Sequence, residues 1–252
     1  MRKSTSVLML LLVIVLTMTS CSNNPLKSQT KSISSQLPLK FADWASVTDA
    51  DYDGADNRVN LVVDIKDNGR INEELINQEK EDLATGMTLF FFGNKGSLQS
   101  MAQSLVDNKG ALSFTFRNNR SKKIVKVVAP MEKVEQLLGG KVSPLEELKG
   151  KVAIGNLTAP NDFDELNKLG QMKVTRDNLE VVLLVNPKAF RADLDLKTLK
   201  SYILQNVFVD IDLKQFTTLA ANAGIGVVFD YSNARTGKKL TVNFTKDELL
   251  KN

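Results

Sequence analysis

Hydrophobic positions along this chain change their period in a way that separates strands from helices. "RVNLVVDI" at 58–65 and "NLEVVLLV" at 178–185 are short, apolar and rich in β-branched residues, as strands are. After each, the period lengthens. Ile76, Leu83, Met87 and Phe90 fall on one helical side, and Leu196, Leu199, Ile203 and Val207 repeat the pattern. A further helix follows, carrying Leu98, Met101 and Leu105 in the first series and Leu213, Phe216 and Leu219 in the second. Gly110 and Gly224 stand where these helices need a C-cap with positive φ. Two strands and a short terminal helix close each series.

The two series align as divergent copies. "LVDNKGALSFTF" (105–116) matches "LAANAGIGVVFDY" (219–231), with Gly110 on Gly224. "RNNRSKKIVKVVAPMEKVEQLL" (117–138) matches "SNARTGKKLTVNFTKDELLKN" (232–252). Placing Lys122, Lys123 and Ile124 on Lys238, Lys239 and Leu240 sets Val128 on Phe244 but Lys126 on Val242, so the apolar alternation is shared only in part. Upstream, "FADWASV" (41–47) corresponds to "FDELNKL" (163–169), and a short helical turn is expected in each copy, Phe41–Trp44 and Asp162–Leu169. The expected fold class is α+β: two related domains, 37–138 and 157–252, each an antiparallel sheet packed against helices. Residues 139–156, with their Gly and Pro, suit a linker holding one short helix.

The N-terminus follows a different logic. Arg2 and Lys3 precede an apolar run from Val7 to Leu16, then small and polar residues lead to Cys21. That is the order of a secretory signal over residues 1–20, with an apolar run too short for a span of about 20 residues. The ending "MTSC" resembles the lipobox of bacterial lipoproteins, although Met18 replaces the usual Leu. The resemblance implies cleavage before Cys21, lipidation of that residue (a diacylglyceryl group on sulfur and an acyl chain such as palmitate on nitrogen), and an extracytoplasmic, membrane-anchored protein. Ser22, rather than Asp, resembles outer-membrane sorting if the cell is Gram-negative. Residues 21–36 are polar and read as a lipidated tether.

Composition narrows the chemistry. The chain of 252 residues contains no His and one Cys, which removes His-based acid/base and nucleophile systems, internal disulfides and Cys-based zinc sites. Net charge falls from +4 to +2 once Arg2 and Lys3 are cleaved away, too weak a bias for nucleic acid as a partner.

One stretch suggests a metal. Asp49, Asp51 and Asp53 alternate before Gly54, as calcium loops open. The twelfth position, where an EF-hand places Glu, is Asn60, and the ninth, where an FG-GAP-type loop places an acid, is Asn57. Set against "LGQMKV" (169–174), which has no acid, the run reads as a strand, Val47 to Tyr52, entering a turn at 53–57. Both readings stand: an acidic hairpin, or a Ca²⁺ site that only the first copy acquired. "LFFF" (89–92) reads as core, or as a partner-binding patch if exposed; "RNNRSKK" (117–123) and "ARTGKK" (234–239) are basic tips suited to solubility or to anionic lipid or glycan.

The body is similar to small bacterial secreted domains of hairpin–helices–hairpin layout, a likeness that implies no activity. The expected function is a lipid-anchored envelope protein with a binding or structural role, meeting the membrane through its anchor and envelope proteins or glycans through its body. The alternative is a calcium-dependent sugar binder or carboxylate-based hydrolase.

Overall fold

The computed structural model describes residues 24–66, 73–93, 96–140, 142–162, 165 and 167–251. Residues 1–20, read as a secretory signal, and Cys21 lie outside them.

The first unit begins with helix α1 (Pro25–Ser34). Strands β1 (Leu39–Ala42), β2 (Ala45–Asp53) and β3 (Arg58–Ile65) follow, then helices α2 (Glu73–Gln78) and α3 (Lys80–Phe92). A 3-10 turn (Gln99–Met101) runs into α4 (Ala102–Asp107), and β4 (Ala111–Asn118), β5 (Ile124–Ala129) and α5 (Met131–Leu138) complete the unit. The second opens with α6 (Pro144–Asn156) and strands β6 (Asn161–Asp162), β7 (Asn167–Val174) and β8 (Asn178–Val185). Helix α7 (Leu196–Tyr202) continues as a π-helical turn (Ile203–Val207), and α8 (Ile211–Asn222), β9 (Gly226–Asn233), β10 (Lys239–Phe244) and α9 (Lys246–Leu249) end the chain.

Each unit is a five-stranded sheet with strands in sequence order, β1 to β5 and β6 to β10, carrying helices on one face. The class is α+β with two sheet-plus-helix units, but the sheets are mixed rather than antiparallel. β3 pairs parallel with β4, and β8 with β9, while the remaining neighbours are antiparallel. The reason is the connection: two hairpins joined through helices bring the fourth strand back in the direction of the third.

Burial alternates as the sequence pattern requires. Val59, Leu61, Val63 and Ile65 of β3 and Leu179, Val181, Leu183 and Val185 of β8 point to the helices and are buried. Two separate cores result, one per unit.

Several expectations change in register or identity. Residues 25–34 are helix α1, where a tether was expected; its Leu26, Thr30 and Ile33 are buried in the first unit. The turn expected at Phe41–Trp44 overlaps edge strand β1, and Asp162 belongs to β6. The positive φ at the end of α4 belongs to Lys109, at 50°, the counterpart of Gly224 at 78°. At Gly110 itself a Cβ would lie 2.7 Å from Leu26 Cδ1, so the end of that side chain would have to shift to admit a larger residue. On α3 the buried side continues Leu83, Met87, Phe91; Phe90 is turned outward, and in the second unit Leu196 is exposed.

The copies match better than their sequences suggested. In both hairpins the Asn at the strand end donates its N–H across the tip, Asn118 to Lys123 O and Asn233 to Lys238 O. Val125, Val127 and Ala129 therefore correspond to Leu240, Val242 and Phe244, one residue away from the sequence alignment, and the apolar alternation is complete. β2 and β7 carry the same register shift, at Val47/Asp49 and Leu169/Met172, so Asp49 and Asp51 of the first copy are equivalent to Gln171 and Lys173 of the second.

Candidate functional site: the cleft beside helix α6

Helix α6 owes its start to sequence. Pro144 follows the N-cap Ser143, whose hydroxyl accepts from Glu146 N, and the Glu146 carboxylate returns to the Ser143 amide. Glu146 also accepts from Lys133 Nζ at 2.7 Å and from Gln136 at 2.9 Å. The Lys133 bond, foremost, holds its carboxyl down to about 2, against the burial that opposes it.

Where a linker with a short helix was expected, α6 is a 13-residue helix serving both units. Leu148 and Val152 enter the second core, whereas Ala153 enters the first. Two glycines allow this: a Cβ at Gly86 of α3 would lie 2.3 Å from Gly150 O, so the backbones of α3 and α6 meet where no larger residue fits. At its C-terminal end Asn156 fastens α6 to β7, its amide donating to Met172 O and accepting from Met172 N, both at 2.8 Å. Ser34 of α1 repeats the first of these contacts, donating to Ala50 O at 2.9 Å.

Beside α6 opens a cleft of about 500 Å³ between the units. Its apolar walls are Phe90, Ile154, Leu169, Met172, Leu213 and Phe216, and its polar rim includes Lys151, Asp162 and Asp210. Phe90 is 46% exposed. It is held there edge-on against Phe41, ring centroids 4.9 Å apart. A second hollow of about 440 Å³ shares Phe90, Lys151 and Ile154, so the ring stands between two openings. The rim charges are engaged: Asp162 pairs with Lys168 at 3.1 Å, Lys151 reaches Gln215 at 3.2 Å, and Asp210 accepts from Leu213 N at the start of α8. At the start of α3, burial raises the carboxyls of both the N-cap Glu79 and Asp82, and Asp82 raises that of Glu79 further.

The residues singled out from sequence do not converge on this cleft. Asp49, Asp51 and Asp53 lie on the outer face of the first sheet, opposite Val62, Asn60 and Arg58. Asp53 is committed to the turn: it accepts from Ala55 N and Asp56 N and pairs with Arg58 at 3.1 Å, and the Ala55 bond foremost lowers its carboxyl. Asp49 lies within electrostatic reach of Arg117, which is bound to Asp64 at 2.7 Å. Among the described residues no group of three or more His, Cys, Asp or Glu is placed to hold a metal ion. "LFFF" divides between its two readings, Phe91 and Phe92 buried and Phe90 exposed. The cleft had escaped sequence reasoning; its signal was Gly86 and Gly150, isolated inside helical patterns.

No helix among the described residues is long and apolar enough to cross a membrane. Compared with known proteins, the chain matches no family model, and no curated protein or solved structure at a significant level.

Proposed function

We propose that this chain is a lipid-anchored protein of the bacterial envelope, placed at the outer membrane in a Gram-negative cell, whose folded body acts by binding rather than catalysis. The observation that carries this reading is the place of the only cysteine. Cys21 ends "MTSC" three residues before Asn24, the N-cap of α1, so a leader cut at that point leaves the described fold whole. Several acyl chains there would anchor the protein without a spanning helix. Support for a binding role comes from the cleft, whose apolar walls and few rim charges are the usual make-up of a ligand site. An exposed apolar segment of an envelope protein or glycan-linked lipid suits it by the same chemistry.

The test has two readouts. Cells fed radiolabelled palmitate should label the wild-type protein and retain it in membranes, and Cys21→Ser should be unlabelled and released. A Cys21→Ser protein that still carries label sinks the anchor. For the cleft, Phe90→Ser should weaken binding of the apolar dye N-phenyl-1-naphthylamine while Tm holds; unchanged dye binding would remove Phe90 from the site.

A further inference from the structure

Because the two units are repeats, each position of one has a counterpart in the other. Helices α1 and α6 are such a pair. Ala50 faces Leu61 across its hairpin as Met172 faces Val181. Ser34 and Asn156, which donate to the carbonyls of Ala50 and Met172, are therefore equivalent. Counting back, Leu26 corresponds to Leu148 and Thr30 to Val152, and all four are buried. The next inward position breaks the pattern. Ile33 of α1, 5% exposed in the first core, corresponds to Gly155 of α6.

The surroundings of the two positions are otherwise alike. Val47 and Ala50 stand in the first unit where Leu169 and Met172 stand in the second. Leu105 and Ala220 accept from equivalent amides, those of Gly110 and Ile225, which places Met101 on Phe216 and Leu98 on Leu213. Ile33, Val47, Ala50, Leu98 and Met101 all belong to the first core. Leu169, Met172, Leu213 and Phe216 instead line the open cleft beside α6, and Gly155 lines it with them. A Cβ at Gly155 would lie 3.2 Å from Met172 Cε and 3.8 Å from Phe216 Cζ, so a side chain there would project among these walls. The cleft thus includes the space that one aliphatic side chain fills in the sister unit.

It is also longer than that space. The neighbouring hollow of about 440 Å³ shares Phe90, Lys151 and Ile154 with it and extends along α6 to Glu147. From Gly155 to Glu147 the helix rises about 12 Å, which makes a narrow groove rather than a socket for one residue. The lysines that border it are engaged, Lys151 by Gln215 and by Glu147 at 3.6 Å, and Lys40 by Asp43 at 2.5 Å. Recognition therefore falls to apolar contact along the groove.

We infer that this cleft binds a lipid acyl chain. The chain takes the place of the side chain that Gly155 lacks, runs past the exposed ring of Phe90 and leaves its head group in solvent. This rests on the reading of the cleft as the ligand site.

Full-length Cys21→Ser protein is the sample, so that no chain attached at residue 21 competes. Titration calorimetry with octyl, nonyl and decyl maltoside, each below its micellar concentration, should show affinity rising about threefold to fourfold per added CH₂. Gly155→Ile, which restores the side chain of the sister unit, should weaken decyl maltoside binding at least tenfold. Its Tm should hold or rise, since Gly is the poorer helix former. Binding within twofold of the parent, an affinity indifferent to chain length, or no binding at all overturns the inference. Should Gly155→Ile melt early, Gly155→Ala adds one carbon against the flexible end of Met172 and carries the test with a loss of about threefold. Dodecanoate and monoacyl phosphatidylcholine of the same chain length tell a free acid from a glycerolipid as the source. Tighter binding of either, lost in Gly155→Ile, supports the site. An isoleucine-rich peptide that binds through Gly155 when the maltosides do not overturns the choice of lipid. Dye binding indifferent to Phe90 fails the cleft itself, whereas dye binding that needs Phe90, beside maltosides that ignore Gly155, keeps the cleft and removes only the acyl chain.

Discussion

Glu146 shows how much one side chain can combine. It closes the capping box of α6 and receives Lys133 from α5, thereby tying the last helix of the first unit to the first helix of the second. Because its folded pKa lies below the ordinary glutamate value of 4.5, at about 2, its contribution is complete above 4.5 and is lost as pH falls through about 2. Glu146→Gln should destabilise the fold at neutral pH by about 1 kcal/mol, as cap losses go, and so lower Tm. The gap from wild type should close as the solution is acidified toward pH 2. Thermal melts across that range check it, and a gap that stays constant would assign the loss to packing instead. Lys109 is the opposite case, a non-glycine residue accepting a left-handed backbone because the helix end demands it there.

Helix α1 is the element that sequence reading missed. Its composition, "PLKSQTKSIS", is mostly polar, and only Leu26, Thr30 and Ile33 turn inward. Three inward positions in ten are a faint periodic signal, and a polar helix looks like a tether until a sheet is present to receive it. A chain beginning at Asn24 should melt as the full-length chain does, whereas one beginning at Gln36 should lose about 3–5 kcal/mol from the burial of Leu26 and Ile33. Denaturant midpoints of the two truncations decide between body and tether. Elements with strong periods were legible: both central strands and the C-terminal hairpins lie where their apolar alternation put them. Their exact correspondence was not, because it is set by hydrogen bonds across the hairpin tips rather than by residue similarity. The same holds for Asp49, Asp51 and Asp53, whose spacing was visible, whereas the commitment of Asp53 to Arg58 and the turn amides was visible only once the hairpin closed.

Taken whole, the molecule is two repeats sharing a helix. Since α6 gives Leu148 and Val152 to one core and Ala153 to the other, wild type should unfold in a single calorimetric transition. Gly150→Ala puts a Cβ 2.7 Å from Gly86 N, against backbone that has no rotamer to yield. Overpacking of this kind costs about 1–3 kcal/mol and should part α3 from α6, lowering Tm and separating the melt into two transitions. One sharp transition at the wild-type temperature would show that the units are not coupled through this contact. Legible in the chain itself were the α+β class, the repetition and the chemistry of the turns, because each depends on neighbours within a few residues. Packing alone settled the parallel central strands, the shared burial of α6 and the outward turn of Phe90. A helix with apolar residues on more than one side does not announce which face meets which core; that depends on surfaces far away in sequence, brought together only when both sheets have formed.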